Sequence, residues 1–342
     1  MKKYLLPENC NYYKANLHVH TNISDGKLTP AEIKEGYKSQ GYSVVAYTDH
    51  EVFVPHNDLC DENFVALNAV ELAVNDNWPG GFKYNKCYHL NLYAKSQSQT
   101  ECCVCTEKSV HLEHSKAYLT EQTLNNEYEK YHSVTAINDM IKRANDDGFL
   151  VCYNHPVWSL HDYGNYSGLR GLWGIEVYNT ASARGGYEDT TVSFDDLLRE
   201  NQRLVAVASD DAHSLNANAY KGWTMIGAEK LDYDSIIDAM ENGNCYSSTG
   251  PEIKELYIED GVVHMSFSDA VFVKLMTNIR FARSKHGTAD APINAVSFDI
   301  NEFLNHTFFV GVHRNEFYFR LEVMDKDGKR AWTNAYFVDD IQ

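Results

Sequence analysis

Residues 17–26 read LHVHTNISDG, and 27–33 continue KLTPAEI. A β-prone run ends on two histidines one residue apart, turns through Ser24-Asp25-Gly26 and enters a helix start. In that start Thr29 is the N-cap, Pro30 the first helical residue, and Glu32 stands three after the cap. Residues i and i+2 of a strand face one side, so His18 and His20 can bind one cation together. The stretch reads as a strand feeding a helix, with ligand-type side chains at the strand's end.

The same arrangement recurs along the chain. VAYTDHE (45–51) closes on Asp49 and His50, and NAVEL (68–72) carries Glu71. YHLNLYA (88–94) carries His89, YNHPVW (153–158) carries His155, and ASDDAH (208–213) ends on Asp211 and His213. One such residue would mean little, because a lone histidine at a strand end is more often a hydrogen-bonded structural residue. Imidazoles and carboxylates delivered together by six strand-like runs point to a polynuclear metal site at one end of a sheet or barrel. The D-x-H spacing puts Asp211 and His213 on one side and so favours Asp211 over Asp210. Asp49 points away from His50 along a strand and reads as a support for the ligands.

The remaining elements fit that reading. Residues 15–228 alternate short apolar runs with helical patterns. Ile137, Ile141 and Ala144 have helical spacing between Ser133 and a stop at Gly148. GIEVYN (174–179) and RLVAVAS (203–209) read as buried strands, with DDLLRE (195–200) between them as a short helix. WTMIGA (223–228) reads as a strand and Tyr233–Gly243 as a helix. Alternation on this scale argues for an α/β fold with a parallel sheet or βα barrel. Lys95 to His132 is polar and reads as an insertion, partly helical near its end. After SSTGP (247–251), Asp260-Gly261 and Asp327-Gly328 read as hairpin turns. Phe317, Phe319, Leu321 and Val323 alternate with Tyr318, Arg320 and Glu322, as on a half-exposed antiparallel strand. The expected division is a hydrolase barrel over 1–250, with the 95–132 insertion, and an all-β sandwich over 251–342.

Composition narrows the function. The chain has 342 residues, 44% hydrophobic, with a formal net charge of −18. A chain this acidic repels nucleic acid at long range, so binding of long nucleic acid is not expected. No run approaches the ~18 apolar residues of a membrane span, and MKKYLLPENC is too short in apolar residues for a leader. A cytoplasmic protein with no membrane partner is expected. Its eight cysteines then default to reduced thiols. The ECCVC cluster (101–105) has no second C-x-x-C at finger spacing and reads as a loop.

Taken together, LHVHTNISDG, VAYTDHE, NAVEL, YHLNLYA, YNHPVW and ASDDAH resemble the PHP family, the polymerase and histidinol phosphatase metal-dependent phosphoesterases. The resemblance covers about residues 15–250. It implies a distorted (β/α)7 TIM-like barrel with two or three divalent ions at the C-terminal strand ends. Carried over by position, one ion takes His18, His20, Glu71 and Asp211. A second shares Glu71 and adds His89 and His155, and a third uses Asp25, His50 and His213. Mixed imidazole and carboxylate sets suit zinc, manganese or iron.

The implied reaction is hydrolysis of a small phosphoester by metal-activated hydroxide, with Glu71, Asp211 and His213 as the catalytic set. The substrate would be a small phosphorylated molecule: a phosphomonoester, a nucleotide or a small phosphodiester. His56, which lines the pocket or lies on a surface loop, and Arg184 are the candidates for substrate binding, with Lys221 and Arg170 as alternatives. Trp158 and Tyr178 read as core packing. Two rival functions are an amide or ester hydrolase on the same site and a non-catalytic metal-stabilised binding protein. His111, His114, His132 and His161 have no companion at ligand spacing and are expected to face solvent. His264, His286, His306 and His313 are expected to be structural.

Overall fold

The computed structural model describes residues 2–77, 83–188, 191–216, 219–309 and 316–341. His313 lies outside them, and the side chain of His306 is likewise not described. In chain order the strands are β1 (Lys2–Tyr4), β2 (Asn11–Asn16), β3 (Val44–Tyr47), β4 (Val65–Asn75), β5 (Cys87–Ala94), β6 (Phe149–Tyr153), β7 (Gly174–Asn179), β8 (Val205–Ser209) and β9 (Trp223–Ala228). They continue with β10 (Cys245–Ser248), β11 (Ile253–Glu259), β12 (Val262–Ala270), β13 (Phe272–Thr277), β14 (Ala282–His286), β15 (Ile293–Asp299), β16 (Tyr318–Met324), β17 (Arg330–Thr333) and β18 (Tyr336–Phe337).

Among the described residues, one large sheet runs β14-β13-β16-β17-β10-β9-β2-β3-β4-β5-β6-β7-β8, with β18 on β16. The fold is mixed α/β, and this path is open. It does not show the closure expected of a (β/α)7 barrel. Only β2–β3, β3–β4, β6–β7 and β7–β8 pair in parallel. β4–β5, β5–β6 and β2–β9 are antiparallel. Residues 76–86 alone separate β4 from β5, too few for the crossover that a parallel pair requires. Past the strand ends, an isolated parallel bridge joins Val19 to Ala212.

Strands β3, β6 and β8 are buried throughout, as their VVAY, FLVCY and VAVAS sequences require of strands covered on both faces. The helix Pro30–Lys38 starts with the capping box expected of Thr29 and Glu32. The helix Val134–Asp146 is capped by Ser133 and turns its Ile137, Met140, Ile141 and Ala144 face to the core.

A second sheet, β1-β11-β12-β15, lies over the C-terminal part of the large one. Leu256, Val263, Met265 and Val296 share one apolar cluster with Leu275, Phe319, Leu321 and Val323. Asp260 and Gly261 both have positive φ, which the tight β11–β12 turn demands. Pairing crosses residue 250 in both directions. β1 pairs with β11, and β17 pairs with β10.

The alternation in β16 does not mark a solvent face. Tyr318, Arg320 and Glu322 are as buried as Phe319 and Leu321. Arg320 makes two 2.7 Å hydrogen bonds to Asp195 of the helix Val192–Arg199, which covers the face that alternation left to water. Among the described residues no helix is long and apolar enough to cross a membrane.

Candidate metal centre

The ligand-type side chains gather where the strands end. His18 and His20 follow β2, Asp25 sits in the next loop, His50 follows β3, and Glu71 lies in β4. His89 lies in β5, His155 follows β6, and Asp211 and His213 follow β8. Main-chain bonds brace these ends. Asp211 N–H donates to the His18 carbonyl at 3.0 Å, His20 N–H to Ala212 at 3.1 Å, and Glu51 N–H to Glu71 at 2.9 Å. His155 and Asp211 have positive φ, a strained conformation that turns these side chains away from the course of their strands. Gly26 explains the SDG signature. A Cβ there would stand 2.3 Å from the His20 carbonyl oxygen.

Glu71 is the centre of the cluster and is 1% exposed. Its Oε1 lies 3.2 Å from His18 Nε2, 3.0 Å from His89 Nδ1 and 3.4 Å from His155 Nε2. Its Oε2 lies 3.5 Å from His20 Nε2 and 3.1 Å from His50 Nδ1. Asp211 Oδ1 is 3.0 Å from His20 Nε2 and 3.4 Å from His18 Nε2. Asp25 Oδ2 is 3.3 Å from His213 Nε2 and 3.8 Å from His50 Nε2.

Burial alone would raise the Glu71 pKa, but His89, His18 and His50 outweigh it and hold the carboxyl well below its usual range. Asp211 behaves likewise beside His18 and His20. Burial opposes a charged His18, yet Asp211, Glu71 and Glu176 hold it well above ordinary imidazole. His50 is pushed down to about 3 by burial and by His20. His213 stands at about 9 because Asp25 and Asp211 outweigh burial.

The donor atoms fall into groups within 4.8 Å of one another: His20, Asp25, His50 and His213; His18, His20 and Asp211; Glu71, His89 and His155; and His18, His155 and Glu176. Donors bound to a cation at about 2.1 Å stand roughly 3–4 Å apart, which is the spacing seen here. His20 Nδ1 and Asp211 Oδ1 are buried without a hydrogen-bond partner, and the His18 and His20 Nε2 atoms face each other at 3.2 Å. Such groups are costly unless something binds them, so the residues fit divalent cations.

Sequence reasoning missed Glu176. Its Oε1 is 2.9 Å from His18 Nδ1, and its Oε2 accepts from His155 N–H at 3.0 Å and Asn179 Nδ2 at 3.0 Å. The signal was present as one acid inside the apolar run GIEVYN. Asp49 holds the Asp25 loop, accepting from Thr21 N–H and Thr21 Oγ1 at 2.8 Å each. Asp210 is turned away and accepts from the N–H groups of Tyr220, Lys221 and Gly222.

Glu176→Gln is expected to lower metal affinity by about 10–100-fold while leaving the fold intact, because it would lose the charge that fixes His18. Equilibrium dialysis with manganese checks this. An unchanged affinity would remove Glu176 from the site.

A cavity of about 340 Å³ opens onto the cluster. The two expected substrate contacts do not line it. His56 is buried against Tyr47 at 4.7 Å between ring centroids, and Arg184 is exposed at the end of the short helix Thr180–Arg184. Lys221 lines a separate cleft, and Arg170 pairs with Glu200 at 2.7 Å. Trp158, expected in the core, lines the metal cavity against His89 and His155. His111 is exposed, as expected, and also lines the cavity, whereas His161 bonds Tyr153. Tyr178 stacks on Trp332, and His264 on Tyr257. The cysteines are free thiols; ECCVC lies in a loop, as expected, with Cys102 and Cys105 buried in the core.

No family model and no curated protein matches the chain. Solved structures do. A two-domain protein from Bacteroides vulgatus, containing a predicted PHP-like metal-dependent phosphoesterase, is 15% identical, with 98% of each chain covered and a TM-score of 0.45. The lesion-specific endonuclease PfuEndoQ from Pyrococcus furiosus is 15% identical, covering 68% of this chain and 56% of that one at a TM-score of 0.43. An amidohydrolase from Chromobacterium violaceum, with bound sulfate and no metal, is 15% identical over 68% and 96% at a TM-score of 0.37. The side chains of this chain, and not these likenesses, carry the functional reading.

Proposed function

We propose that the protein is a metal-dependent hydrolase of the PHP type that cleaves small phosphoesters. One observation carries this reading: a single buried carboxylate, Glu71, offers its two oxygens to two different sets of histidines. Zinc, manganese or iron suits these donors. Divalent cations held there supply Lewis acidity and ionise water near neutral pH. The chain's own residues do the rest. Asp211 and Glu176 fix His18 and His155, Glu71 spans the donor groups, and Asp25 orients His213. With two cations held, His213 keeps a proton at the cavity edge and can hand it to a leaving alkoxide. The strongly acidic chain favours a small phosphorylated substrate over long nucleic acid.

Elemental analysis followed by a phosphoester panel tests the reading. Two or more equivalents of transition metal and release of phosphate are expected, with chelation abolishing turnover and manganese or zinc restoring it. A metal-free protein that is inert on every phosphoester would overturn it. Affinity should also fall as pH falls. Burial opposes charge on His18 and His89, but their acidic neighbours hold both well above ordinary imidazole, so each proton must be displaced before the ring can ligate. Metal retained on dialysis at acid pH as fully as at alkaline pH would contradict this.

A further inference from the structure

The segment 95–132 is pinned to the metal centre rather than lying apart from it. Lys130 forms a buried ion pair with Glu51, the residue after His50. Ser115 Oγ donates to the Ile23 carbonyl at 2.6 Å, and His114 Nε2 stands 2.7 Å from the Ser24 carbonyl. Val110 packs with Ile23 and Val52 in one apolar cluster. These contacts fall on the loops that carry Asp25 and His50. They hold Ser109–Leu112 over the ligands as the outer wall of the 340 Å³ cavity.

The two sides of that cavity differ in chemistry. Its floor is the carboxylates and imidazoles of the metal centre. Its wall sets the apolar Ala73, Val110, Leu112 and Trp158 beside the polar Asn75, Ser109, His111 and Ser115. No lysine or arginine lines it among the described residues. Cations on the floor can offset one phosphoryl group. A second anionic group that lay against Leu112 and Trp158 would lose its hydration with no lysine or arginine to replace it. The volume sits at the small end of ligand pockets.

Resting on the phosphoesterase reading above, we infer that the 95–132 insertion is the specificity wall of the site. It selects monoesters of compact, uncharged alcohols with an apolar or aromatic body, and rejects substrates bearing a second anionic group. Leu112 is the specificity-determining residue.

The test uses the full-length, metal-loaded protein and separates selection from chemistry. Selection is read by calorimetry with three phosphonates. Phenylphosphonate is expected to bind about tenfold tighter than methylphosphonate and about tenfold tighter than 4-carboxyphenylphosphonate, which adds only a remote charge to the same ring. Leu112→Lys should close the gap to 4-carboxyphenylphosphonate, and Leu112→Ala should weaken phenylphosphonate alone. Leu124→Lys, an exposed position in the same insertion, should change neither. Equal binding of the two ring phosphonates by the unaltered protein, or a Leu112→Lys variant with an unchanged ratio, would overturn the inference. Chemistry is read separately with p-nitrophenyl phosphate. Selective phosphonate binding without any phosphate release leaves the wall assigned and removes the phosphoesterase reading.

Discussion

Glu71→Gln is expected to slow phosphoester turnover by about a thousandfold or more, roughly 4 kcal/mol at the transition state, and to strip the protein of its full metal complement. The side chain is 1% exposed, so solvent cannot take over its role. Each oxygen faces different imidazoles, Oε1 toward His18, His89 and His155, and Oε2 toward His20 and His50. An amide keeps the shape but replaces one acceptor by a donor and removes the negative charge from between the two histidine sets. Asn154 Nδ2 already donates to Oε1 at 2.8 Å, which fixes the side chain's orientation and leaves the amide no harmless rotamer. The fold should survive, because the apolar clusters beneath β4 do not include residue 71. Elemental analysis, a phosphate-release assay and circular dichroism check this together. A variant that retains two equivalents of metal and activity within tenfold of the parent would sink the bridging role of Glu71.

Asp195→Ala is expected to destabilise the protein by about 3 kcal/mol or more, without touching the metal centre. Arg320 has no exposed surface, and its guanidinium makes two 2.7 Å bonds to the Asp195 carboxylate and a 3.0 Å bond to Thr191 Oγ1. Removing the carboxylate leaves a buried cation with Glu322 only at 3.8 Å. Replacing both partners, as Asp195→Leu with Arg320→Met, should recover most of the loss, since a matched apolar pair no longer strands a charge. Urea denaturation of the two variants provides the comparison. A loss below about 1 kcal/mol for the single variant would show the pair to be solvated.

These two predictions mark where the sequence could and could not be read. The cluster of imidazoles and carboxylates was legible because these residues sit at the ends of apolar runs, where the chain's local pattern announces a strand and then stops. His18 and His20 could be grouped from an i, i+2 spacing alone. Glu176 could not, because a single acid in GIEVYN has no partner nearby in sequence. His18 and His155, the residues it orients, come from other strands. Arg320 and Glu322 read as a wet face for a related reason. Alternation tells which residues share a side, and only packing tells what covers that side. The helix Val192–Arg199 arrives there from more than a hundred residues away. Trp158 was likewise misplaced because a cavity wall is made of segments brought together in space.

By itself the sequence determined the elements that short-range physics fixes: the capped helix at Thr29, the tight Asp260-Gly261 turn, the fully apolar strands, and the ligand types at their ends. Tertiary structure alone decided which strands run antiparallel, why the large sheet continues into the C-terminal strands without closing, which carboxylate stands between the histidine sets, and what roofs the cavity. The division follows from range. Caps, turns and alternation depend on neighbours a few residues apart, whereas pairing, desolvation and the meeting of charges depend on contacts between distant segments that no local pattern encodes.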